Sequence, residues 1–142
     1  MELTQTEAYI RREEGYRRHM YKCPSGKWTI GIGLNLEAGL PEDEAETILR
    51  LRLDKLKAQL GAELPWFSSL NEARQAALLS MAYQMGVLGL MGFTTTMRLL
   101  ADGQWDEASR QMLASKWATQ TRARARRTAY MVRYGIFPNP SW

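Results

Sequence analysis

This 142-residue chain has one cysteine, one histidine and no acidic residue beyond position 107. A lone cysteine cannot close an internal disulfide, which excludes a fold held together by oxidation. His19 has no cysteine or second histidine at ligand spacing, so no metal site and no cofactor are expected. No run of about 18 apolar residues occurs, which argues against a membrane-spanning helix. The first fifteen residues, MELTQTEAYIRREEG, lack the apolar stretch of a secretion signal. The expectation is a chain made in the cytoplasm that needs some other route outward. No internal repeat and no low-complexity linker is evident, and one domain spanning 1–142 is the natural size. A hydrophobic share of 45% with 24% charged residues fits a globular chain, not a disordered one.

The missing acids leave the charge lopsided. Residues 108–142 hold seven of the nineteen basic residues and none of the fifteen acidic ones. A face of that kind steers anionic partners toward it. Cell-wall polymer, anionic lipid and nucleic acid all qualify. No zinc finger, RNP or helix-turn-helix signature accompanies the tract, so specific nucleic-acid binding is not expected.

Thr4-Gln5-Thr6-Glu7 has the pattern of a capping box opening a first helix that runs to about Arg12 or Glu14 and stops at Gly15. Residues 21–36 predict a small sheet, with Pro24-Ser25-Gly26 as a turn and Trp28, Ile30 and Ile32 alternating with Thr29 and glycines. Pro41 followed by three acids starts a second helix. Ala45, Ile48, Leu49, Leu53, Leu56 and Leu60 give that helix one apolar stripe, and Gly61 is expected to close it. Asn71 caps a helix over 73–85 that is apolar on nearly every face and hence buried. Gly86, Gly89 and Gly92 break the chain into short pieces. Two further helices are expected over 106–119 and 122–134, with Trp105 and Trp117 in the core and Pro138 and Pro140 ending the fold.

The stretch EEGYRRHMYKCPSGKWTIGIG, residues 13–33, is the most informative part of the chain. It places Glu14, Cys23 and Thr29 on three adjacent elements, with eight and then five residues between them. Each has an ordinary reading. A helix glutamate is usually a solvated charge, a lone cysteine a small buried hydrophobe, and a strand threonine a good strand former. A cysteine between Lys22 and Pro24 in a turn is poorly sited for core packing, however, and a core has no evident use for the trio. A carboxylic acid can protonate a leaving oxygen, a thiolate can act as base or nucleophile, and a hydroxyl can hold a water. Gly26, Gly31 and Gly33 serve tight turns or close backbone approach. No GK[ST] follows them, so this is not a phosphate loop.

These residues resemble the phage-type lysozymes, the endolysins related to the T-even phage lysozyme. An acid followed by glycine, an Asp or Cys eight residues on, and a Thr opening TIGIG form the family's pattern. ALLSMAYQMG, GFTTTMRLLADGQWDEA and SKWATQTRARARR are similar to later family segments in order and spacing, so the resemblance covers nearly the whole chain. Two departures concern the cleft: the segment after Gly33 is shortened, and Leu34 stands where a histidine is common.

The resemblance implies a mainly α, α+β lysozyme-like fold. A small antiparallel sheet lobe at about 15–40 would be joined by the long helix to a helical lobe at about 62–142, which includes the N-terminal helix. It implies hydrolysis of the β-1,4 bond between N-acetylmuramic acid and N-acetylglucosamine in bacterial peptidoglycan, for host cell lysis after release from the cytoplasm, by a monomer. Glu14 would be the acid, Cys23 the base or nucleophile, and Thr29 the positioning group. Arg124 would be the late-helix arginine near the acid. Tyr83, Thr96, Gln111 and Asn35 match positions lining the saccharide cleft. Gln111 replaces a shorter amide, and an apolar residue is commoner at Asn35. Two alternatives remain open. One is a lytic transglycosylase, which needs only one acid. The other is a non-catalytic module whose basic C-terminal helices bind an anionic wall or membrane surface.

Overall fold

The computed structural model describes residues 2–142, which divide into two compact units between Ile48 and Leu49. The chain is mainly helical with one small antiparallel sheet, as expected.

The first unit opens with α1 (Gln5–Glu14). Both arms of the capping box are present. The Glu7 N–H donates to the Thr4 hydroxyl at 3.1 Å, and the Thr4 N–H donates to the Glu7 carboxylate at 2.7 Å. Gly15, at φ 73°, closes the helix by donating its N–H to the Arg11 carbonyl. The sheet follows in the order β1 (Arg17–Lys22), β2 (Trp28–Gly31), β3 (Leu34–Asn35). It begins four residues earlier than the expected boundary of 21. Residues 17–20 are exposed and show no apolar alternation, so periodicity does not reveal them. A single 3-10 turn (Leu36–Ala38) is tied back to β2, where the Glu37 carboxylate accepts from the Trp28 N–H at 2.9 Å.

The helix α2 (Glu42–Glu63) starts after Pro41 with three acids in its first turn. It does not stop at Gly61 as expected. The helix runs on to Glu63 and ends where Pro65 biases the preceding residue away from helical backbone. In the second unit, α3 (Glu72–Met91) is capped by Asn71, whose side chain accepts from the Arg74 N–H. Ala77, Leu78, Met81 and Ala82 bury one stripe of α3 in a core shared with Leu60, Phe67, Leu100, Met112 and Val132. Gly86, at φ 80°, kinks this helix as anticipated, whereas Gly89 stays helical and packs against the Met85 side chain. α4 (Thr94–Ala101), α5 (Trp105–Leu113), α6 (Lys116–Gln120) and α7 (Arg122–Tyr134) complete the unit. The single helix expected over 106–119 is thus two. Ser115 divides them by accepting the Ala118 N–H at 3.2 Å as a fresh N-cap. Trp105 and Trp117 are half-buried and pack against the core.

Arg74 joins α3 to α7. Its guanidinium donates to the carbonyls of Val132 (2.8 Å) and Arg133 (3.2 Å) and lies 4.0 Å over the Trp105 ring. A cation at the negative end of α7 is favourable. The arrangement needs glycine at position 135. Gly135 ends α7 at φ 66°, and a β-carbon there would meet Asn71 and Arg74 at 2.8 Å. Arg74→Ala should therefore lose charge-assisted hydrogen bonds worth about 2–3 kcal/mol of unfolding free energy, measured by urea denaturation followed by circular dichroism. A change below about 0.5 kcal/mol, the size expected for an ordinary surface substitution, would show that the clamp contributes nothing.

Candidate active site

The β1–β2 connection is a tight loop. The Cys23 N–H donates to the Lys27 carbonyl at 2.9 Å, and the Gly26 N–H donates to the Cys23 carbonyl at 2.8 Å. Gly26 takes φ 83°, a left-handed backbone that a β-carbon would strain. This geometry holds the half-buried Cys23 sulfur 3.0 Å from the Ser25 hydroxyl oxygen. The Ser25 hydroxyl first, and then the Lys27 N–H, lower the thiol pKa well below its ordinary value, to about 7, against a smaller opposing desolvation. A pKa of about 7 makes a substantial fraction of the sulfur thiolate at neutral pH.

Thr29 is 4% exposed and pairs across the sheet with Tyr21 on one side and Asn35 on the other. Its hydroxyl donates to the Lys27 carbonyl at 2.9 Å, so its single hydrogen is already committed. Asn35 is occupied too. Its side chain accepts the Glu37 N–H at 3.0 Å and caps the 3-10 turn.

Glu14 is the exposed last residue of α1. Its carboxyl lies against Gly33, so closely that a β-carbon at that position would overlap it. Gly33 also holds φ 66°. The first unit therefore brings Thr29 and Asn35 onto one sheet, places Cys23 in its hairpin loop, and sets Glu14 against the β2–β3 connection.

In the second unit, Arg124 of α7 donates to both the Ser80 carbonyl and the Ser80 hydroxyl at 3.0 Å. Arg124, Ser80 and Tyr83 line a groove of about 320 Å³ with Leu49, Leu53, Ala76 and Leu79. Tyr83 is 45% exposed there. Thr96 lies inside α4 at 3% exposure. Gln111 is exposed on α5, within reach of the Glu107 carboxylate. Two hydrogen-bonding partners of these residues were not singled out from the sequence. Ser25 had a local signal, a hydroxyl two residues after a cysteine in a Pro-Gly turn. Ser80 had none, because its partner lies 44 residues away.

A family profile described as phage lysozyme matches residues 11–130. The pre-baseplate central spike protein of Enterobacteria phage T4 is 28% identical over 155 residues, covering 89% of this chain and 27% of that protein. The Dictyostelium discoideum protein named "Probable T4-type lysozyme 1" is 24% identical, covering 89% of this chain and 92% of its own length. An endolysin of Acyrthosiphon pisum secondary endosymbiont phage 1 is 29% identical over 77% of this chain and 74% of its own. The chain thus spans about a quarter of the spike protein and most of the other two.

The thiol environment generates a pH prediction. Deprotonation raises alkylation of Cys23 by iodoacetamide, so the rate should climb with pH through a midpoint at about 7. Ser25→Ala removes the main donor to the thiolate, and the midpoint should move upward. An unmoved midpoint would exclude Ser25 as the group that stabilises the thiolate.

Proposed function

The chain belongs to the phage lysozyme family, and from that membership we propose that it hydrolyses the β-1,4 bond between N-acetylmuramic acid and N-acetylglucosamine in bacterial peptidoglycan. The observation that carries the mechanism is the Glu14 carboxyl set against Gly33. That contact sets the acid at the end of α1 beside the β2–β3 connection, on the same small sheet whose hairpin loop carries Cys23.

Glu14 donates its proton to the glycosidic oxygen as the bond to the leaving sugar breaks. Positive charge then develops at the anomeric carbon. The Cys23 thiolate acts in one of two ways. As a base, it takes a proton from a water that attacks that carbon. As a nucleophile, it forms a thioglycoside that water then opens. Thr29 orders the loop through the Lys27 carbonyl and so positions the thiol. In the second unit, Arg124 is the proposed supporting cation, with Ser80 fixing its direction. Tyr83 and Gln111, both exposed, are the proposed saccharide contacts. Thr96, buried in α4, and Asn35, committed to its cap, serve the site by holding their elements. The place of action is the wall, after release from the cytoplasm of the bacterium that makes the protein.

Lysis of purified peptidoglycan by folded variants tests this reading. Glu14→Gln should lose about 10²–10⁴-fold in rate, because an amide has no proton to give. Cys23→Ser should fail, since a hydroxyl ionises far less readily, while Cys23→Asp should retain much of the activity through its carboxylate. Arg124→Ala should lose more than Arg122→Ala. Near wild-type lysis by Glu14→Gln would remove the acid from the mechanism. Near wild-type lysis by both Cys23→Ser and Cys23→Ala would leave Glu14 acting alone and favour transglycosylation.

A further inference from the structure

The second unit has a cavity that the proposed reaction does not use. It measures about 500 Å³ and is lined by Ala123, Arg126, Arg127, Tyr130 and Trp142. That volume falls within the range of small-ligand pockets. Its lining holds two guanidinium groups, two aromatic rings and no Asp or Glu. Within the second unit neither the Arg126 nor the Arg127 side chain has a hydrogen bond or ion pair, although Arg110 and Arg133 both pair with carboxylates. Two guanidinium groups lining one concave site favour an anion there.

The aromatic wall is held in place by its own contacts. The Tyr130 ring lies 4.8 Å from Tyr134 and 4.8 Å from Trp142, the second contact edge-on. The segment carrying Trp142 is folded into a turn. The Ser141 N–H and hydroxyl both donate to the Asn139 side chain, at 3.0 and 2.9 Å, and the Trp142 N–H donates to the Asn139 carbonyl at 3.0 Å. Trp142 stays 57% exposed, leaving indole surface open to a ligand. A second groove of about 230 Å³, lined by Leu113, Ala118, Thr119, Arg122 and Arg126, shares Arg126 with the first. Arg122 and Arg126, four residues apart on α7, are about 6 Å apart along the helix axis. The two grooves thus both border the Arg126 side chain.

We propose that this pocket binds a negatively charged saccharide, with Arg126 and Arg127 on its phosphate or carboxylate and Trp142 and Tyr130 against its ring. Arginine forks suit planar or tetrahedral oxyanions. An exposed indole offers an apolar face to the C–H side of a sugar, while its N–H end stays wet. Single-stranded nucleic acid needs a groove tracking about four or more nucleotides, which a pocket of this size does not provide. The choice of a sugar over other anions rests on the lysozyme reading. The site itself lies on residues to which the reaction assigns no part, and it would hold the enzyme on a charged wall glycan between cleavage events.

Binding is measured on the Glu14→Gln protein, so that catalysis plays no part in the result. The probe is N-acetylglucosamine 1-phosphate, with N-acetylglucosamine and inorganic phosphate as its separate halves, followed by tryptophan fluorescence and amide chemical shifts. The sugar phosphate should bind about ten-fold or more tighter than either half, a gap of about 1.4 kcal/mol, and should shift the amides of 123–130 and 142. Arg126→Ala/Arg127→Ala and Trp142→Ala should each weaken it by a similar factor while leaving the circular dichroism spectrum unchanged. Equal binding of all three probes, or undiminished binding by both variants, overturns the proposal. Tighter binding of a single-stranded oligonucleotide than of the sugar phosphate also overturns it. Loss of the pocket with hydrolysis intact, and loss of hydrolysis with the pocket intact, are separate results, so each claim fails on its own evidence.

Discussion

The backbone of Gly33, left-handed at φ 66°, is the surface on which the Glu14 carboxyl lies, and any L-residue there would be strained in its backbone. The end of α1 and the sheet thereby meet within the first unit. The Gly15 cap sets where α1 stops, and Gly33 sets what its last side chain can touch.

The thiol follows a second constraint, that of the hairpin loop. A thiol reacts as its thiolate, and a lowered pKa raises the thiolate fraction at neutral pH. The 23–27 loop does so with short-range hydrogen bonds from Ser25 and Lys27, not with a cationic partner. Hydrogen bonds of this kind leave the site's net charge unchanged and depend little on salt. The basic face of α7 behaves oppositely. Its charges are exposed and spread, so their pull on an anionic partner acts at long range and fades as ionic strength rises.

Legibility in the sequence followed the range of the interactions. The capping box of α1, the helix start at Pro41, the Asn71 cap and the kink at Gly86 were all readable because each is settled within about four residues. Glu14, Cys23 and Thr29 stood out for the same reason, on one stretch with a recognisable turn. Gly61 misled because glycine often ends helices, yet Pro65 made the stronger demand. The edge of β1 at Arg17 was hidden because its residues are exposed and carry no apolar alternation. Ser115 was an available signal for splitting α5 from α6, a cap residue in the middle of an otherwise periodic run. The anchor of Arg124 on Ser80 and the clamp of Arg74 on α7 join residues 44 and 58 positions apart, and no local pattern encodes such pairs. The burial of Thr96 belongs to the same class, since only the assembled core decides it.

Hydrolysis by an acid with a thiolate partner and elimination by an acid alone leave different ends on the same glycan. The direct measurement is mass spectrometry of muropeptides released from purified peptidoglycan by the wild-type protein in water enriched in oxygen-18. The account predicts muramic acid products with a reducing end that carries one heavy oxygen from the solvent. Products ending in 1,6-anhydromuramic acid, with no heavy oxygen incorporated, would contradict it.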